Sequence, residues 1–381
     1  MWRAETIPQT RIAFLCHRLL GRMKKKDKKG VPAMIKPLTL KLLILICANT
    51  LLLSCSEPES QSTGAVTANQ AQVTQEVYDQ VKNTLQRAGQ GASNGEWQAY
   101  GGDTGSTKYT ALDDINLDNV EDLQIMWRRP ALDQKYLDIN PNQRYTSNWN
   151  AAPLIIDGVG YVTNGVGLVE AFHPGTGKTL WVQEPPGGAE GLPGASTRGV
   201  AYWSEGDDKR LFVQRGTFLY ALNPEDGTAF DDFGVDGRVD LQLFPVEFER
   251  FRWGGVPMVI RDVVVIGQAM SDTFPSKEAF RGDVHAFDVR TGALRWTYHT
   301  IPQEGEFGTD TWQDRSWSYS GHAPVWALFS ADEELGLVYM PISSATNDMY
   351  GGHRIGDNLF SQSLVAVNAE TGERVWHYQT V

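Results

Sequence analysis

An all-β fold, a propeller of four-stranded blades, is predicted by three features of this 381-residue sequence. A content of 38 Gly and 12 Trp, with 10% aromatic residues, suits strands joined by tight turns better than helices. One strand–turn–strand unit recurs four times: AFHPGTGKTLW (171–181), ALNPEDGTAF (221–230), AFDVRTGALRW (286–296) and AVNAETGERVW (366–376). The turn glycines Gly177, Gly227, Gly292 and Gly372 are 50, 65 and 80 residues apart. A sheet that recurs every 50 residues or so with variable loops is a propeller blade. A β-helix needs shorter, more regular coils, and a sandwich does not repeat one turn four times.

Taken in chain order, the first 54 residues hold eleven Lys and Arg against Glu5 and Asp27. The apolar run Leu40–Leu53 follows, too short to span a bilayer, so a signal peptide is expected rather than an uncleaved anchor. It ends in Leu52-Leu53-Ser54-Cys55, which resembles a bacterial lipobox with Cys55 as the lipidated first mature residue. Met1 and Met34 are both candidate starts. The expected locus is the periplasmic side of a membrane, the outer one favoured by Ser56, with attachment through the lipid alone. Residues 55–95 are polar and read as a tether with one short helix at 77–87. The propeller part is expected over 96–381. All three cysteines (Cys16, Cys47, Cys55) lie at or before the lipobox, so the exported body has no disulfide and no haem-attachment motif. The net charge of −12 argues against nucleic-acid binding.

Each repeat unit follows an apolar run, namely GVGYVTN, RLFVQ, VVVIGQ and LGLVYMP. Asp288 or Asn368 can bond its own turn backbone, and the glycine can take φ > 0. The Trp opening the next strand suits the gap between neighbouring sheets, where its N–H can reach a main-chain carbonyl. The variable lengths fall into loops at 183–198, 267–281, 300–322 and 341–362. In aligned blades these loops share one face around the axis, where chemistry is expected.

Four segments carry a resemblance: EWQAYGGDTGSTKYTALDDINLDNVEDLQIMWRR (96–129), RGVAYW (198–203), RGDVHAFDVRTGALRWTYHTIP (281–302), and TNDMYGGHRIGDN (346–358) with the later WHYQT. Over 96–381 the chain resembles the pyrroloquinoline-quinone (PQQ) dependent dehydrogenases, quinoproteins with an eight-bladed β-propeller and PQQ on its axis. The resemblance implies oxidation of a sugar, polyol or alcohol by hydride transfer to the quinone. It also implies a bound Ca²⁺ or Mg²⁺ and an external electron acceptor, cytochrome c or ubiquinone. Arg198 matches the arginine that contacts the PQQ carboxylates, a pairing apt for a forked guanidinium. Trp326 matches the floor beneath the PQQ ring and lies outside the repeat frame. Asn150 stands where many members place a Glu against the cofactor. For the metal, Asp272 and Glu278 compete as the carboxylate ligand, and a third ligand is expected at Ser344–Thr346, with Thr346 as the candidate. Asp357 and Asn358 match the family's GDN and order the loop. His322 and His353 are candidate substrate contacts, whereas His173 and His285 read as structural.

Alcohol-type members carry an adjacent-cysteine disulfide near the cofactor, and its absence moves the expectation towards the sugar or polyol branch. In the family, WHYQT is followed by a stretch whose last Asp is the general base. The expectation is therefore about half a propeller, truncated before the catalytic Asp, with two exposed blade faces and negligible turnover. A split enzyme with its other half encoded separately is a second reading. A third is a non-catalytic lipoprotein of PQQ-like repeats acting as an outer-membrane assembly scaffold. Arg198, Trp326 and the long TNDMYGGHRIGDN loop favour the enzyme, because a scaffold has no need of them.

Overall fold

The structure is a computed structural model, and it describes residues 92, 95–143, 145–146, 149–185, 188, 192, 197–243, 252–253, 255–269 and 277–381. Cys55, the leader, the expected helix at 77–87 and Asp272 lie outside the described residues.

The alternating apolar runs form four four-stranded antiparallel sheets, each in simple sequential order. Blade 1 holds β1 (Leu154–Ile156), β2 (Val159–Thr163), β3 (Val169–Phe172) and β4 (Thr179–Val182). Blade 2 holds β5 (Ala201–Glu205), β6 (Asp208–Arg215), β7 (Phe218–Leu222) and β8 (Arg238–Asp240). A small ribbon pairs β9 (Arg252–Trp253) with β12 (Gln268–Ala269). Blade 3 holds β10 (Met258–Ile260), β11 (Val263–Ile266), β13 (Val284–Asp288) and β14 (Leu294–Tyr298). Blade 4 holds β15 (Ser330–Asp332), β16 (Leu337–Ile342), β17 (Ser363–Asn368) and β18 (Arg374–Gln379). The molecule is thus an arc of a β-propeller, four blades of an eight-bladed type.

The repeated turn has one geometry in all four blades. The amide of Gly177, Gly227, Gly292 or Gly372 donates to the carbonyl of His173, Asn223, Asp288 or Asn368 at 2.8–2.9 Å. Each glycine has φ between 68° and 76°, which a residue bearing a Cβ adopts only with strain. The Asp288 carboxylate accepts from the Arg290 and Thr291 amides at 3.0 and 2.8 Å, and Asn368 accepts from Glu370 and Thr371 at 2.9 and 3.1 Å. In blades 1, 3 and 4 a register shift falls just before this turn.

The same glycines explain why a Trp follows the turn. Trp127 donates to the Pro174 carbonyl at 2.7 Å, Trp181 to Pro224 at 3.0 Å and Trp296 to Ala369 at 2.8 Å. Each acceptor belongs to the turn of the next blade. A Cβ on Gly177, Gly227 or Gly372 would lie 2.5–2.7 Å from that indole, so only glycine lets the ring close down. Blade 2 has Phe230 in the Trp place, and its junction differs. Backbone Gly234 donates to Thr291 at 2.9 Å, and Val239 covers Gly292.

The core consists of layers between blades. Leu154, Val169 and Ala171 meet Leu211 and Val213. Phe212, Leu219 and Phe233 meet Val264 and Phe287. Ile260, Val265 and Val284 meet Val338, Met340 and Val365. Blade 1 is also covered on its leading side. Trp127 sits on its turn, and Leu132 and Tyr136 of the segment bearing α1 (Gln134–Ile139) pack on Val166 and Leu168. Two open blade faces were expected, but the chain's own residues 127–137 cap one of them.

The segment Trp97–Ser106 lies across the inner strands. Trp97 and Ile155 exchange backbone hydrogen bonds at 2.9 and 3.0 Å, and further along Thr104 accepts from Ala331 at 2.8 Å. Ser106 Oγ donates to the Phe329 carbonyl at 3.3 Å. One short stretch therefore ties blade 1 to blade 4. Beside it runs a cleft of about 530 Å³ lined by Tyr100, Trp203, Val256, Phe329 and Glu333.

Candidate functional site on the axial face

Three of the expected cofactor residues precede the first strand of a blade. Asn150 comes before β1, Arg198 before β5 and Trp326 before β15. First strands run the same way in each blade, so these residues come to one end of the inner strands. Arg198 and Trp326 meet: the guanidinium carbon lies 5.3 Å from the indole centroid. Trp326 is 44% exposed, in contrast to Trp296 at 7%, which caps a turn. No carboxylate pairs with Arg198 among the described residues. A broad, accessible ring beside an unneutralised forked cation fits a flat, polyanionic ligand.

Asn150 joins the neighbourhood through Tyr100, whose hydroxyl donates to the Asn150 carbonyl at 3.3 Å. A Cβ on Gly199, next to Arg198, would lie 3.6 Å from the Tyr100 ring and 3.7 Å from the Ala152 carbonyl. The Asn150 side chain is exposed. Nothing in the sequence singled out Tyr100; the extended pairing of Trp97–Ser106 across the arc brings it here.

Gly267 sets the height of the Trp326 ring. A Cβ there would sit 2.1 Å from the Val325 carbonyl and 2.9 Å from Phe329. Gly267→Ala is expected to push the 325–329 segment outward and to cost about 1–3 kcal/mol through overpacking. Denaturant unfolding measures that loss, and a shift of Trp326 reactivity reads the displacement.

The metal candidates are assembled less fully. Phe280 pairs with His322, and His322 pairs with Ala345, so the Glu278 and Thr346 segments flank one small ladder. Glu278 is exposed, whereas Thr346 is fully buried. The Thr346 carbonyl accepts from Arg354 Nε at 2.9 Å and contacts His353 Nε2 at 3.0 Å. Both lone pairs of that oxygen are engaged, leaving Oγ1, which is buried without a hydrogen-bond partner among the described residues. A hard divalent cation takes six to eight oxygens. Among the described residues no group of three or more His, Cys, Asp or Glu stands together. The described side chains alone do not make a metal cage, and no step is derived through a metal.

Arg354 is a residue that sequence reasoning passed over. Its guanidinium also donates to Asn358 Oδ1 at 2.8 Å and lies 3.5 Å from the Asn347 carbonyl. It fastens both ends of the TNDMYGGHRIGDN loop, so the ordering expected of Asn358 acts through Arg354. The pattern offered a signal, a lone basic residue inside a Gly-rich loop. His353 holds the same loop, and Tyr319 Oη donates to its carbonyl at 2.5 Å. His322 is 5% exposed, in the ladder.

Two buried titratable groups stand nearby on and before β13. Burial raises the Asp283 carboxyl to about 6, opposed by His299, by the Thr300 amide and by Arg281. Burial lowers His285 to about 4, and its Nδ1 meets Thr297 Oγ1 at 2.9 Å. These act in opposite directions on stability. Asp283 holds its proton more tightly when folded, so its contribution is full below about pH 4 and lost as pH rises through about 6. His285 contributes fully above about pH 6.5, and that contribution is lost as pH falls through about 4. Asp283→Asn, which keeps an acceptor for Thr300, is expected to be more stable than the parent at pH 7.5. Its loss of stability between pH 6.5 and 4 is expected to be steeper. Urea unfolding across that range checks both.

An arc of β-propeller blades with an aromatic floor and an unpaired guanidinium at the axial end defines a class, the ligand-binding propellers. The family follows: this chain belongs to the PQQ proteins, the glucose/ethanol/alcohol dehydrogenase β-propeller domain, whose sequence profile matches residues 97–381. It is 32% identical over 313 residues to the dehydrogenase subunit of alcohol dehydrogenase (quinone) from Gluconacetobacter polyoxogenes, covering 75% of this chain and 38% of that protein. It is 27% identical to quinoprotein glucose dehydrogenase A of Acinetobacter calcoaceticus, covering 80% of this chain and 40% of that one. Among solved structures, quinohemoprotein alcohol dehydrogenase of Comamonas testosteroni superposes with a TM-score of 0.60 at 24% identity, covering 76% of this chain and 41% of the other. The ADHIIG enzyme of Pseudomonas putida gives a TM-score of 0.56 at 27% identity, covering 75% and 40%. The chain thus spans about two fifths of the length of these relatives.

Proposed function

We propose that this chain supplies the PQQ-binding arc of a quinoprotein dehydrogenase that oxidises a small alcohol, polyol or sugar. The observation that carries the reading is the Arg198–Trp326 pair on the axial face, 5.3 Å apart, with the ring accessible and the cation unpaired. When bound, PQQ supplies a two-electron acceptor. Trp326 gives the quinone a flat apolar support and shields that side from water. Arg198 turns from the ring to the rim and holds the carboxylates, and Asn150 hydrogen-bonds at the edge. Arg354 and His353 keep Thr346 in place below the loop. Ca²⁺ or Mg²⁺ is expected with the quinone, with Glu278 or Asp272 and Thr346 Oγ1 as the protein oxygens offered. The general base is assigned to the segment that follows WHYQT in the family, so turnover by residues 55–381 alone is expected to be negligible.

Among the relatives named above, the alcohol-type protein is the more similar by sequence, while the lack of adjacent cysteines supports the polyol or sugar branch. Electrons would pass to a separate cytochrome c or to ubiquinone. We read Cys55 as the lipid attachment that holds the protein on the periplasmic side of a membrane; labelling with radioactive palmitate, lost in Cys55→Ala, tests this.

The test of the main reading is a titration of purified residues 55–381 with PQQ and Ca²⁺, followed by tryptophan fluorescence and calorimetry. Saturable quenching is expected, and it should weaken in Trp326→Ala. No saturable binding in the parent chain would sink the reading. Clear substrate-dependent dye reduction by the chain alone would overturn the assignment of the base.

A further inference from the structure

The strands of blades 2 and 3 are buried on both faces, whereas those of blade 4 are buried on one. β7, β11 and β13 are buried at almost every position, but β16 alternates half-buried and buried residues. Val338, Met340 and Ile342 face blade 3. The other face carries Tyr339, Leu364, Trp376 and Tyr378, the last three 38%, 38% and 67% exposed. Trp376 holds the repeat position of Trp181 and Trp296. Both of those indoles donate to the turn of the following blade and stack on its glycine, while Trp376 meets only the Tyr339 ring at 5.9 Å.

We propose that the Trp376 face is a docking surface for one kind of partner, a further propeller blade. That blade presents a turn of the form [DN]-x-x-[TD]-G, with its glycine under the Trp376 ring and a turn carbonyl accepting the indole N–H. The internal junctions at Trp127, Trp181 and Trp296 are the pattern, and the fourth surface repeats it without its other half. A second copy of this chain does not fit. Its four turn glycines are already covered, Gly177 by Trp127, Gly227 by Trp181, Gly292 by Val239 and Gly372 by Trp296. The opposite end of the arc is closed by residues 127–137, so a copy offers no vacant turn there. The inference is independent of the cofactor reading.

The probe is a copy of residues 299–381 appended after Val381 of the full chain. Hydroxyl-radical footprinting is read at Trp376 and Tyr378 of the parent part. Labelling of both is expected to fall several-fold when the copy is present, and the copy should resist protease. Replacing the glycine of the copied turn, equivalent to Gly372→Val, is expected to restore labelling to the level of the unextended chain. Unchanged labelling, or a copy that is digested while the parent part stays intact, would overturn the proposal. So would an unextended chain that sediments as a dimer with Trp376 already shielded, because a second copy would then be the occupant.

Discussion

Arg198→Ala is expected to weaken PQQ binding by about a hundredfold. The forked guanidinium would give the carboxylates of the ligand two charge-assisted hydrogen bonds, which together contribute about 3 kcal/mol. In the described structure that cation has no acidic partner and rests 5.3 Å from the Trp326 ring. Its removal therefore leaves no buried charge uncompensated, and the fold is expected to tolerate the change. Arg198→Lys keeps the charge without the fork and is expected to lie between the two. Calorimetric titration with PQQ at fixed Ca²⁺ measures the series, and denaturant unfolding without ligand separates binding from stability. Equal affinity across all three proteins would remove Arg198 from the site.

The second large effect concerns the junctions. Trp296→Ala is expected to destabilise the chain by about 3–5 kcal/mol, the range for deleting a buried aromatic side chain. The ring is 7% exposed, stacks on Gly372, and its N–H donates to Ala369 at 2.8 Å. The substitution opens a cavity between blades 3 and 4 and strands a turn carbonyl. The same substitution at Trp376, whose outer side faces solvent, is expected to cost only about 1 kcal/mol or less. Urea unfolding of the two variants side by side tests the contrast, which no difference in residue type or repeat position can produce. Equal losses would mean that blade 4 is already covered.

Much of the fold was legible because the repeat carries its own physical rules. Glycine at positive φ, an Asp or Asn bonding its own turn and an alternating apolar run are local requirements, so they survive as a local pattern. The Trp position was legible for a related reason: an indole with one N–H must find an acceptor between sheets. Arg198 and Trp326 were visible through loop motifs that resemble those of a known family. Their proximity was not visible, because 128 residues separate them and only the common direction of the first strands brings them to one end of the arc.

What the sequence determined by itself is the blade, its turn, its pairing order and the class of ligand its loops are suited to hold. Tertiary structure decided the rest. It laid Trp97–Ser106 across the inner strands and brought Tyr100 to Asn150. It gave Arg354 the task of fastening the long loop, and it closed one end of the arc while leaving the Trp376 face bare. The reason is range: turn and strand rules act within a few residues, whereas these contacts depend on how successive blades are rotated about an axis that no short stretch of chain encodes.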